Sequence, residues 1–68
     1  MTIIAKNIRG ESFTEGNRVM AYDFDNTKVY GVIYENRENP EVSDWYVKYD
    51  DGAECAVLDL DFLWKIDQ

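Results

Sequence analysis

Apolar and polar residues alternate from Trp45 to Tyr49, with Trp45, Val47 and Tyr49 on one side of an extended chain and Tyr46 and Lys48 on the other. That period of two marks a half-buried strand. Past Asp50-Asp51-Gly52 the alternation resumes, Cys55 and Val57 being set against Glu54 and Ala56. An Asp-Gly pair between two such runs predicts a hairpin. An earlier run begins at Asn17, where Val19 and Ala21 oppose Arg18, Met20 and Tyr22, and predicts a strand ending near Phe24. Asp25-Asn26-Thr27 then supplies a turn, since short Asp and Asn side chains bond nearby amides and tolerate left-handed backbone.

Lys28 to Glu35 is dense in β-formers (Val29, Tyr30, Val32, Ile33 and Tyr34) and predicts a second strand. Gly31 interrupts it, the mark of a bulge or of another backbone passing closely. Asn36 to Ser43 is polar, and Pro40 bars a central strand there. Leu60, Phe62, Leu63, Trp64 and Ile66 fit neither period, which suggests a short helical turn and a final strand. Residues 1–16 carry mixed signals, with an apolar pair at Ile3-Ile4, a lone Ile8 and breaks at Gly10 and Gly16, and are expected to be an irregular lead-in to a domain spanning 17–68.

A chain of 68 residues allows one domain with a marginal core, because so short a chain buries only roughly 60% of its unfolded surface. The aromatics are the expected source of that core, each able to bury on the order of 150–250 Å²: Phe13, Tyr22, Phe24, Tyr30, Trp45, Tyr46, Phe62 and Trp64. Cys55, the single cysteine, has the parity of a core position and is expected to be buried rather than reactive. Five short strands with one long loop after the second predict an all-β, SH3-like barrel.

The chemistry the chain lacks narrows its function. Histidine is absent, so no Ser-His or Cys-His pair exists for nucleophilic catalysis. One cysteine without histidine does not make a usual zinc set. The carboxylate pairs Asp23/Asp25, Asp50/Asp51 and Asp59/Asp61 follow no calcium-loop spacing, and no phosphate-cradling glycine loop is present. A protein without enzymatic activity, cofactor or metal is expected. Fourteen acids against seven bases, a net charge of −7, disfavour direct binding to nucleic acid or anionic membrane and favour a basic protein partner. The chain has no apolar run of the ~20 residues that cross a bilayer. Met1-Thr2-Ile3-Ile4-Ala5 is shorter than a signal-peptide core. A cytoplasmic location, or a nuclear one in a eukaryote, is the expectation.

The segments Gly16-Asn17-Arg18-Val19-Met20-Ala21, Tyr30-Gly31-Val32-Ile33 and Tyr49-Asp50-Asp51-Gly52-Ala53-Glu54-Cys55-Ala56-Val57 together resemble Tudor domains, over roughly the last three quarters of the chain. The resemblance implies a small barrel that meets a basic or methylated segment in an aromatic and acidic cage. Tyr49 and Asp51 stand where the family has a cage aromatic and acid. Asp23 and Ala53 stand where it has, or in some readers has, further rings, so the cage is incomplete. The plainer use of these rings is to fill the barrel with their hydroxyls in water, Asp51 then serving its turn.

The leading expectation is a protein-interaction module whose partner site comprises Tyr22, Asp23, Tyr30, Tyr49, Asp50 and Asp51, with Asp25 on its rim. Two alternatives stay open. One is an acidic, nucleic-acid-mimicking inhibitor, regulatory or phage-encoded, of a DNA- or RNA-binding protein. Acids in phosphate-like rows would favour it, and acids clustered around rings would favour the module. The other is an accessory subunit docking through a strand edge, with Lys28 and Lys48 guarding such edges.

Overall fold

The computed structural model describes residues 5–66 and consists of strands, turns and one short 3-10 turn. The strands are β1 (Ala5–Lys6), β2 (Ser12–Phe13), β3 (Arg18–Tyr22), β4 (Lys28–Glu35), β5 (Trp45–Tyr49), β6 (Glu54–Val57) and β7 (Trp64–Lys65), with the 3-10 turn at Leu60–Phe62. The protein is therefore all-β. β3 to β6 form an antiparallel meander and β7 returns beside β3, so the main sheet has the order β6-β5-β4-β3-β7. Among the described residues no ladder joins β6 to β7. The barrel expected from the sequence is thus a five-stranded sheet with an open seam between those two strands. No helix among the described residues is long and apolar enough to cross a membrane.

Two hairpins of one design set the register. Asp23 N–H donates to Thr27 O and Asn26 N–H to Asp23 O, while Tyr49 N–H donates to Ala53 O and Gly52 N–H to Tyr49 O. Each is a tight turn followed by one residue of positive φ, Asn26 at 63° and Gly52 at 93°, the three-residue hairpin with a left-handed bulge. Asn and Gly are the residues that accept this backbone at least strain. β3 accordingly ends at Tyr22 and leaves Phe24 in the turn, fully exposed.

The sheet faces inward with Val19 and Ala21 from β3, Ile33 from β4, and Trp45 and Val47 from β5, joined by Phe13 and Leu63. The core is mainly aliphatic, which corrects the expectation of an aromatic one. Of the eight rings expected there, Phe13 and Trp45 are buried, whereas Tyr22, Phe24, Tyr30 and Phe62 are exposed. The strand parity accounts for the tyrosines: Tyr22 and Tyr30 alternate with the inward positions Ala21 and Gly31. Gly31 marks a close approach rather than a bulge. It pairs in unbroken register with Val19 on one side and Tyr49 on the other, and a Cβ there would lie 2.6 Å from Lys48 O.

Residues 5–16 carry two short strands and contribute to the core. β1 pairs with β2, and Phe13 is wholly buried. Asn7 organises it: its Nδ2 donates to Glu11 Oε1 (2.9 Å) and Leu63 O (3.2 Å), and its Oδ1 accepts from Arg9 and Glu11 N–H. Glu11 Oε2 accepts from Lys65 N–H (3.2 Å), and Arg9 donates to Leu63 O and Asp61 O. These side chains satisfy the outer edge of β7, where no further strand lies among the described residues. The Ile3-Ile4 pair falls outside the described residues.

Candidate functional site

The two hairpin turns stand side by side, because β4 and β5 pair from Gly31/Tyr49 to Glu35/Trp45 and bring the β3–β4 and β5–β6 turns to the same end of the sheet. Asp50 N–H donates to Tyr30 O (2.9 Å) and ties one hairpin to the other. Between them lies a concavity of about 450 Å³ whose lining includes all six residues expected from the sequence: Tyr22, Asp23, Tyr30, Tyr49, Asp50 and Asp51. Lys28, Val29, Ala53 and Cys55 complete it.

The acids there are not equivalent. Arg18 reaches across from β3 and holds Asp50 bidentately, Nη1–Oδ1 at 2.6 Å and Nη2–Oδ2 at 2.5 Å. Hydrogen bonds from Arg18 lower the Asp50 pKa below its ordinary value. The same guanidinium lies 5.9 Å from the centre of the Tyr30 ring. One ring and one acid of the expected site therefore already serve a cation of the chain itself. Asp23 and Asp51 carry no ion pair among the described residues. Each accepts a local backbone bond, Asp23 Oδ1 from Phe24 N–H (2.7 Å) and Asp51 Oδ1 from Ala53 N–H (2.9 Å). These bonds use one oxygen of each carboxylate. Asp25 shapes the β3–β4 turn by accepting from Thr27 N–H, and hydrogen bonding from the Thr27 side chain, then from its backbone, lowers the Asp25 pKa.

Tyr49 is half-buried against the core, and burial pushes its hydroxyl pKa up. Tyr22 packs edge-to-face on Trp64 with ring centres 5.2 Å apart, and Arg9 covers Trp64 at 4.4 Å. Through Tyr22, Tyr49 and Cys55 the concavity continues into a second groove of about 410 Å³, which follows the open seam past Val57, Leu58, Phe62 and Trp64. Leu58 is 84% and Phe62 70% exposed there.

Cys55 is exposed, against the expectation of a core position. Its parity is inward, as its pairing with buried Val47 requires, but β6 is an edge of the sheet and, among the described residues, its inner face is left open at Cys55. Arg18, Lys28 and Trp64 were not singled out as site residues by sequence. Arg18 alternates with buried Val19 on a strand whose outer face crosses Tyr30, and that parity is the signal that places it there. Lys28 and Lys48 lie on β4 and β5, interior strands of the sheet, and so guard no edge. No cluster of metal-ligating side chains occurs among the described residues.

No family model, curated protein or solved structure matches the chain.

Proposed function

We infer that the protein is a non-enzymatic interaction module that binds a basic segment of another protein at the concavity between its two hairpin turns, in the manner of a Tudor-like domain with an incomplete cage. The observation that carries the reading is the convergence of Tyr22 and Tyr49 with Asp23 and Asp51, whose carboxylates have no cationic partner among the described residues, in one concavity. Ring faces and exposed carboxylates attract a cationic side chain together. Acids gathered about rings at the hairpin ends support this reading over a nucleic-acid mimic, which needs its charges in rows spaced like phosphates. Arg18 takes Asp50 and the face of Tyr30 out of contention, so recognition falls to Tyr22, Asp23, Tyr49 and Asp51.

Fluorescence anisotropy with a labelled lysine- and arginine-rich nonapeptide tests the reading. Tyr49→Ala and Asp51→Ala should each weaken binding at least tenfold, a loss of about 1.4 kcal/mol or more in the range of interface anchors. Asp50→Ala should have a smaller effect. Near-UV circular dichroism verifies that the variants fold. Unchanged affinity in both Tyr49→Ala and Asp51→Ala overturns the reading.

A further inference from the structure

The two edges of the main sheet differ. The outer edge of β7 is satisfied by Glu11, Asn7 and Arg9, but among the described residues the outer edge of β6 has no such partners. The bond from Tyr49 N–H to Ala53 O fixes the phase of the β5–β6 ladder. In an antiparallel pair hydrogen-bonded and non-bonded positions alternate, so Glu54 and Ala56, opposite Lys48 and Tyr46, direct their amides and carbonyls away from β5. Among the described residues no backbone partner meets them. Only the weak Cys55 Sγ–H donor, at 3.6 Å, reaches Ala56 O. Beside this edge runs the seam groove, lined by Val57 and Trp64 and by the exposed side chains of Cys55, Leu58 and Phe62.

We propose that the β6 edge takes an extended segment of a partner protein as an added strand, with alternate apolar side chains of that segment entering the seam groove and the intervening residues lysine or arginine. Charge selects this occupant. Glu54 stands on the edge strand itself, Asp51 and Asp59 line the adjoining concavities, none of the three has an ion-pair partner among the described residues, and a basic residue beside Glu54 makes a favourable cross-strand pair. A second copy of the chain is disfavoured because each copy carries a net charge of −7. β6 has four residues, about 13 Å of strand at the usual rise, so the bound core is on the order of four to five residues. Main-chain bonds supply affinity and the alternating side chains supply specificity. The proposal rests on the basic-segment reading above and adds its binding mode.

The test uses a capped Lys-Val-Lys-Val-Lys-Val-Lys peptide and two versions N-methylated at alternate residues, so that one or the other edge of the peptide is blocked. Strand addition through one edge predicts that one version binds like the parent peptide and the other at least tenfold more weakly. Ala56→Pro, which removes an outward amide without breaking the β5–β6 ladder, should weaken the parent peptide at least tenfold at an unchanged urea midpoint. If that variant fails to fold, the N-methylated pair decides on the unmodified protein. Equal binding of both versions overturns strand addition and leaves the basic-segment reading standing. Absence of binding by the parent peptide, when the lysine- and arginine-rich nonapeptide binds, does the same. Absence of binding by both overturns both.

Discussion

Gly31→Ala should destabilise the protein by about 3 kcal/mol, because the position has no room for a methyl group. A Cβ built there lies 2.6 Å from Lys48 O, 2.8 Å from Val47 Cγ1 and 3.0 Å from Tyr49 Cα. Two of these three neighbours are backbone, so no rotamer change relieves the collision and β4 must part from β5. Overpacking of this kind costs roughly 1–3 kcal/mol and belongs at the upper end when backbone has to move. Displacing Tyr49 also strains the Asp50 N–H to Tyr30 O bond, worth about 1 kcal/mol. Replacing a strand glycine with alanine returns roughly 0.5–1 kcal/mol of backbone entropy. A 68-residue chain has a total stability on the order of 3–10 kcal/mol, so the loss is a large fraction of it. The thermal midpoint should fall by about 12–24 °C. Urea unfolding followed by tryptophan fluorescence measures the change, with the slope against denaturant unchanged. A loss below about 0.5 kcal/mol, within the range of an ordinary surface substitution, would refute the close-approach argument.

Two further outcomes concern stability. Asn7→Ala removes four hydrogen bonds, three that close the loop between β1 and β2 and one that ties it to Leu63 O, and at about 0.5–1.5 kcal/mol each, less what Arg9 retains at Leu63 O, the loss should be about 2–4 kcal/mol by urea denaturation; a change under about 1 kcal/mol contradicts the role given to Asn7. The pKa values of Glu11, Glu15, Asp25 and Asp50 are lowered on folding, chiefly by hydrogen bonds from Asn7, Arg37, Thr27 and Arg18 respectively. The unfolded chain therefore binds more protons at these groups in acid, and their contribution is present above the ordinary carboxylate values and is lost as pH falls through the depressed ones. The urea midpoint should drop between pH 5 and pH 3, and a midpoint that holds or rises over that interval refutes the assignment.

Much of the sheet is readable from local pattern. β4 falls on the run of β-formers from Lys28 to about Glu35 and β5 on the alternating run from Trp45 to Tyr49, and both hairpin turns fall where Asp, Asn and Gly cluster, because turn backbone and strand parity are decided within a few residues. Residues 5–16 resist such reading. β1 and β2 have two residues each, too few to display a period, and the segment is held by Asn7 and Glu11, polar side chains whose partners Leu63 and Lys65 lie more than fifty positions away. Phe13 is buried for the same long-range reason. The misplaced aromatics follow from another limit: composition counts rings as core material, but parity sends Tyr22 and Tyr30 outward, and the turn carries Phe24 into water.

The expected site shows the same division at finer scale. All six of its residues share one concavity because the two turns are neighbours once β4 pairs with β5, a consequence of the meander. Which of those residues remain available to a ligand is decided instead by Arg18, a residue thirty-two positions from the Asp50 it binds. Acidity along the sequence says nothing of such compensation. Cys55 differs in kind, since its parity is the one the alternation implies but it is exposed. An inward-facing residue is shielded only where another element covers the sheet, and the seam beside β6 is uncovered among the described residues. The error at Cys55 and the docking edge thus have one origin: the stretch between β6 and β7 where pairing stops leaves both an inner side chain and a row of backbone groups facing solvent, and a strand laid along that edge would bury the first while satisfying the second.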